Sequence, residues 1–133
     1  MENCIFCKIV RGEIPCHKIY GDDEILVFLD IKPKTKGHML VIPKKHYKTI
    51  HDVTEDALTR IIKVAKKMSG LAKEKLNAEG INIINSNEKV AQQEIEHIHF
   101  HVVPRYDDDG LDVWHLEKKQ EHDVLDAKQK LLS

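Results

Sequence analysis

The feature that most limits the fold of this chain is one long apolar stripe set among apolar runs too short for helices. Leu58, Ile61, Ile62, Ala65, Met68, Leu71, Ala72 and Leu76 recur at steps that keep to one side of a helix. Asp52 or Thr54 can cap its start, and Gly80 suits the left-handed position beyond its end. Ile25 to Leu29 and His38 to Ile42 are compact runs of strand length, the second stopped by Pro43. His17 to Tyr20 reads as a brief strand before the turn Gly21-Asp22-Asp23, and Ile81 to Ile84 as another strand. His97 to Val103 reads as the last strand, ended by Pro104. Cys4 to Arg11 predicts a short first helix, Asn85 to Glu94 a polar loop, and Val124, Leu125, Lys128 and Leu131 a weak terminal helix or frayed tail. Strands and helices do not alternate regularly, which argues against a doubly wound parallel sheet. The expected class is α+β, a mainly antiparallel sheet with one long helix packed on it.

The size, 133 residues, suits a single domain with a core of its own. With 21 basic and 22 acidic residues the net charge is -1, so no bulk field invites nucleic acid or an anionic membrane. A site for a nucleotide would have to be built from locally placed groups. No apolar run reaches the roughly 20 residues that span a bilayer, and the N-terminus lacks the apolar core of a signal peptide. The three cysteines are odd in number and two form Cys4-x-x-Cys7, which fits a reducing, cytoplasmic setting better than a disulfide framework.

The chemistry concentrates in His97-Ile98-His99-Phe100-His101. On a strand the three imidazoles share one face, with Ile98, Phe100 and Val102 on the other. Neutral imidazoles are good metal ligands, so the face could hold a catalytic metal. Alternatively one histidine is a nucleophile, kept unprotonated because three crowded imidazoles resist joint protonation. No acidic residue lies between the histidines, and Glu96 precedes them on the opposite face. The spacing leaves both readings open.

The run, with Val102-Val103-Pro104-Arg105 after it, resembles the signature of the histidine-triad family of nucleotide hydrolases and transferases. Cys4-Ile5-Phe6-Cys7-Lys8-Ile9-Val10 with Gly12-Glu13-Ile14-Pro15 resembles that family's N-terminal segment. Phe28-Leu29-Asp30-Ile31 and Gly37-His38-Met39-Leu40-Val41-Ile42-Pro43-Lys44-Lys45-His46 resemble its central hairpin. The nearest branch is that of bacterial members hydrolysing nucleoside phosphoramidates and related adenylates. The resemblance implies one domain over 1–133, with a core of about 4–105 and a variable tail over 106–133. It also implies a homodimer with a continuous sheet, and release of AMP or GMP from purine nucleoside phosphoramidates, dinucleotides or adenylates.

Carried over residue by residue, His99 is the nucleophile that forms a nucleotidyl-histidine. His101 and His38 contact the phosphate, and His97 completes the catalytic set. Ile5, Phe6, Ile9, Phe28 and Ile31 would enclose the base, and Asp30 would accept from the ribose hydroxyls. Asn85, Ser86 and Gln93 are further nucleotide-binding candidates. In bacterial proteins like this one, Cys4 and Cys7 combine with the equivalents of His46 and His97 in a closed, structural zinc site. Cys16 is a bystander, His51, His115 and His122 are expected in solvent, with one of the latter two near the site, and Trp114 has no assigned role. The stretch before the triad departs from the family's pattern: Gln92 stands in a glycine position and Glu94 in a hydroxyl position. A carboxylate there would weaken phosphate binding or favour a cationic leaving group, and it motivates an alternative reading as a binding or adaptor module with little catalysis.

Overall fold

The computed structural model describes residues 3–114 and 123–133. Helix α1 (Ile5–Val10) is followed by β1 (Lys18–Gly21), β2 (Ile25–Leu29) and β3 (Met39–Pro43). Then come α2 (Glu55–Leu76), β4 (Gly80–Ile84), β5 (Phe100–Arg105) and α3 (Val124–Leu132). The strands form one antiparallel sheet in the order β1-β2-β3-β5-β4. This is the expected α+β class, with one long and one short helix on the sheet.

Alternation along the central strands splits the core in two. Ile25, Val27, Met39, Val41, Phe100 and Val102 face α2, against Ile61, Val64, Ala65, Met68 and Ala72. Leu26, Phe28, Leu40 and Ile42 face the other way, onto Phe6 and the partly buried Ile9 and Val10 of α1. Burial on both faces explains why β2 and β3 read as unbroken apolar runs. The face opposite Phe100 and Val102 is therefore the α1 face, and His101 projects there.

Several boundaries differ from expectation. Helix α2 starts where Thr54 accepts from the Ala57 N–H, while Asp52 instead accepts from the Lys48 and Thr49 N–H groups. It ends at Leu76, because Asn77 takes the left-handed cap (φ 57°), a conformation asparagine tolerates. Gly80 is thus no cap but the first residue of β4. Within the stripe Val64 is buried and Ile62 is exposed. Pro104 lies inside β5, paired with Ile81; on its other side β3 has given way to a loop, so no N–H is needed there. Its carbonyl accepts from the Thr35 hydroxyl at 2.6 Å. Pro43 likewise belongs to β3, paired with Ile25.

Strand β5 begins at Phe100, not His97. The β3–β5 ladder stops at the Val41–Phe100 pair, and 97–99 is held by other bonds. The Ile98 N–H donates to the Tyr47 carbonyl at 2.7 Å, and Asn85 Nδ2 donates to the His99 carbonyl at 3.0 Å. The alternation still holds, with Ile98 in the α2-side core. The 85–94 loop contains a short 3-10 turn, Lys89–Ala91. The terminal helix α3 has no buried residue, and Trp114 is 82% exposed. His115 and His122 lie outside the described residues. No helix among the described residues is long and apolar enough to cross a membrane.

Candidate active site

The α1 face of the sheet gathers His38, His97, His99 and His101. Gly37, just before β3, sets up His38: its φ is 87°, and a Cβ there would overlap the Leu76 side chain. His38 is 1% exposed. Its Nδ1 accepts from the Lys34 N–H at 3.0 Å, so its Nε2 carries the proton and donates to His101 Nδ1 at 2.9 Å. That leaves His101 Nε2–H as a donor. His99 Nδ1 lies 2.8 Å from the His97 carbonyl, which can only accept. His99 is therefore protonated at Nδ1 and bears its lone pair on Nε2.

All three rings are held neutral at pH 7. Burial lowers the pKa of His38 and of His99. Burial, then the neighbouring His99 and His38, push His101 down to about 4. A neutral imidazole with a free Nε2 beside a neutral N–H donor can attack an electrophile and hydrogen-bond an anion.

The three triad histidines do not converge on one metal. His97 points away, and its Nε2–H donates to the Pro43 carbonyl at 2.8 Å, leaving the lone pair on Nδ1. That Nδ1 is 3.4 Å from Cys4 Sγ, 3.6 Å from Cys7 Sγ and 3.2 Å from His46 Nδ1; Cys7 Sγ and His46 Nδ1 are 3.3 Å apart. A tetrahedral zinc with ordinary Zn–S and Zn–N lengths has ligand–ligand edges of about 3.3–3.8 Å. The donor set and its spacing fit that ion. Cys4 caps α1, and the two-residue gap returns Cys7 to the same end of the helix. Burial and the adjacent Cys4 raise the Cys7 pKa, so two thiolates here need a cation beside them.

Asp30, His38 and His101 form a second cluster of possible metal donors. There the Lys34 N–H occupies His38 Nδ1, and the proton this leaves on Nε2 opposes a metal. Asp30 Oδ1 accepts from the Lys32 N–H, while Oδ2 stands 3.7 Å from His38 Nε2, too far for a hydrogen bond. One Asp30 oxygen thus serves its own turn and the other is open.

The remaining sequence candidates divide. Phe6 and Phe28 are buried against each other with ring centroids 5.5 Å apart, and Ile9 packs on the same cluster. Ile5 is 42% and Ile31 81% exposed. Asn85 donates to the His99 carbonyl and accepts from Asn87. Ser86 makes no side-chain hydrogen bond among the described residues. Gln93 is buried and fully engaged, donating to the Lys48 and Ile95 carbonyls and accepting from the Glu88 N–H. Gln92 adopts φ 71°, ψ 30°, a left-handed conformation of the kind glycine fills without strain. Glu94 is exposed, and its charge acts on His99 to favour the protonated ring. Sequence reasoning missed Lys34, Thr35 and Asn87; Lys34 acts through its backbone N–H, and Thr35 and Asn87 through partners distant in the chain, which no motif displays.

A HIT domain is matched over residues 11–108. An uncharacterised HIT-like protein of Methanocaldococcus jannaschii is 51% identical over 107 residues, covering 80% of this chain and 82% of that one. The adenosine 5'-monophosphoramidase of Schizosaccharomyces pombe is 39% identical over 112 residues, covering 84% of this chain and 81% of its own length. The crystal structure of a Zn-bound histidine triad family protein from Mycobacterium smegmatis superposes with a TM-score of 0.81 at 39% identity, over 88% of this chain and 85% of that one.

Proposed function

The chain belongs to the HIT-domain family, and from that premise we propose that it is a nucleotide hydrolase cleaving at the α-phosphorus of purine nucleoside phosphoramidates or related adenylates and dinucleotides. His99 Nε2 attacks the α-phosphorus, the bond to the leaving amine breaks, and the amine leaves with a proton from solvent. The His99 Nδ1–H donated to the His97 carbonyl stabilises the imidazolium of the nucleotidyl-histidine. His101 Nε2–H, backed by His38, binds a phosphate oxygen. Water then attacks phosphorus, the P–Nε2 bond breaks, AMP or GMP leaves and neutral His99 is restored. Asp30 Oδ2 is the group available to the ribose hydroxyls. The single observation that carries this reading is the 2.8 Å contact that forces the His99 lone pair onto Nε2.

Cys4, Cys7, His46 and His97 would hold a structural zinc, a closed tetrahedron that leaves no position for substrate. The homodimer joined through the sheet is supported by the edge position of β4, whose Ile83 is exposed. A purine nucleotide, with neither nucleic acid nor membrane as partner, and a cytoplasmic location complete the reading.

Incubation with adenosine 5'-phosphoramidate should release AMP, and an acid-quenched sample should carry a nucleotidyl adduct on His99 by mass spectrometry. His99→Ala should abolish both; unchanged turnover would overturn the assignment. Glu94 beside His99 favours one second reading, a nucleotide-binding module with little catalysis. Calorimetry showing clear AMP binding without detectable hydrolysis would establish that instead.

A further inference from the structure

Two loops bound the two ends of the histidine face. Leu40 of β3 pairs with His101 and Met39 with Val102, so the 30–38 loop meets β5 beyond His101. That loop carries Asp30, Lys34 and His38. Ile84, the last residue of β4, also pairs with His101, and Asn85 Nδ2 donates to the His99 carbonyl at 3.0 Å. The 85–94 loop therefore leaves the sheet at the opposite, His99 end.

Glu94 is held firmly at that end. On one side Gln93 is buried, with Nε2 donating to the Lys48 carbonyl at 2.7 Å and Oε1 accepting from the Glu88 N–H at 2.7 Å. On the other, Ile95 packs on the apolar cluster of the α1 face, and its carbonyl accepts from Gln93 Nε2 at 3.0 Å. The Glu94 backbone is thus bracketed by two anchored neighbours. Its side chain is exposed and forms no salt bridge among the described residues. Its charge is felt at His99. Lys34, also exposed and without a salt bridge among the described residues, acts on His38 and His101 instead. The face runs from a lysine beside the phosphate-binding histidines to an uncompensated carboxylate beside the nucleophile.

We propose that Glu94 selects the leaving group, and that the preferred substrate is a nucleoside phosphoramidate whose departing amine carries a second, positively charged ammonium. The inference rests on the hydrolase reading, with the ribose at Asp30 and phosphorus at His99. A substrate laid along the face in that direction extends its leaving group towards the 85–94 loop. A cation there meets the fixed carboxylate, whereas a carboxylate, sulfate or further phosphate meets like charge. The chemistry is unchanged: the Nε2–P bond forms, the P–N bond breaks, and the departing nitrogen keeps the electron pair and takes one proton from solvent. Glu94 acts on the far end of the amine and supplies specificity to that step.

Three adenosine 5'-phosphoramidates of equal reach test this, made with trimethylenediamine, n-butylamine and γ-aminobutyrate. Their free ends are ammonium, methyl and carboxylate. A unit charge about 4 Å from a carboxylate in water changes a rate about fivefold. In AMP release, kcat/KM should be about fivefold higher for the ammonium substrate than for the methyl one, and about fivefold lower for the carboxylate one. The spread should shrink in about 1 M salt. Glu94→Gln should bring the three within about twofold, and Glu94→Lys should invert their order. The ratios cancel whatever Glu94 does to the phosphate, which all three share. Equal values in the unsubstituted protein, or an order that Glu94→Gln leaves intact, overturn the inference. Absence of AMP release from all three would instead defeat the hydrolase reading. The ratios of their Kd values, measured by calorimetry with the same variants, would then judge the selection by the same criteria.

Discussion

His101 supplies a stability prediction that can be worked from the site. Burial first, then His99 and His38, hold its folded pKa down to about 4, against an ordinary value of 6.5. Between those values the unfolded chain binds a proton that the folded chain refuses. Stability is therefore lost as pH falls from 6.5 towards 4 and levels off below, where both states are protonated. A displacement of this size corresponds to at most about 3.4 kcal/mol. The ring is only partly shielded, and solvent screening reduces this to about 1–2 kcal/mol. The perturbation is His101→Asn, which keeps an acceptor for the His38 Nε2–H and removes the titration. Urea unfolding at pH 7.5 and pH 4.5 measures both proteins. The unsubstituted chain should lose about 1–2 kcal/mol more than His101→Asn over that interval. Equal losses would refute the argument, because the other histidines titrate in both proteins and cancel.

Three further outcomes follow from the loop before the triad. Gln92→Gly relieves the left-handed backbone at φ 71° and should raise stability by about 0.5–1 kcal/mol in urea titrations, the gain being reduced by glycine's freer unfolded chain. Gln93→Ala removes the partners of two backbone carbonyls and one N–H, and should cost about 2–3 kcal/mol by the same measurement. Glu94→Ser takes a negative charge from beside His99 and should raise kcat/KM for an adenosine phosphoramidate with a neutral leaving group by about fivefold, the worth of about 1 kcal/mol of Coulomb energy. A fall in kcat/KM would show that the carboxylate assists the reaction.

Much of the scaffold was legible because local periodicity coincided with burial. Ile25–Leu29 is a strand with the expected ends, and the 58–76 stripe is buried along most of its length, because strand-length apolar runs and a helical repeat have few other uses. The errors lie where a non-local partner overrides a local signal. Gly80 looked like the helix end, but the chain left the helix at Asn77 and gave Gly80 to the pairing with Arg105. Pro104 looked like a stop, but the loop at Thr35 had already replaced the neighbouring strand.

Three histidines alternating with apolar residues, and two cysteines sharing one helical turn, are written in the order of the residues. So are Gln92 and Glu94 in the stretch before the triad. Those facts follow from spacing, because backbone geometry alone puts alternate residues on one face. Which nitrogen of each histidine bears the proton is set by contacts made in the folded chain. The Lys34 N–H sets His38, the Pro43 carbonyl sets His97 and the His97 carbonyl sets His99. An imidazole's tautomer is chosen by the partner it meets, and except for the His97 carbonyl those partners arrive only when the loops and strands are assembled. The same assembly turned His97 towards the cysteines and left His99 with a free lone pair on Nε2.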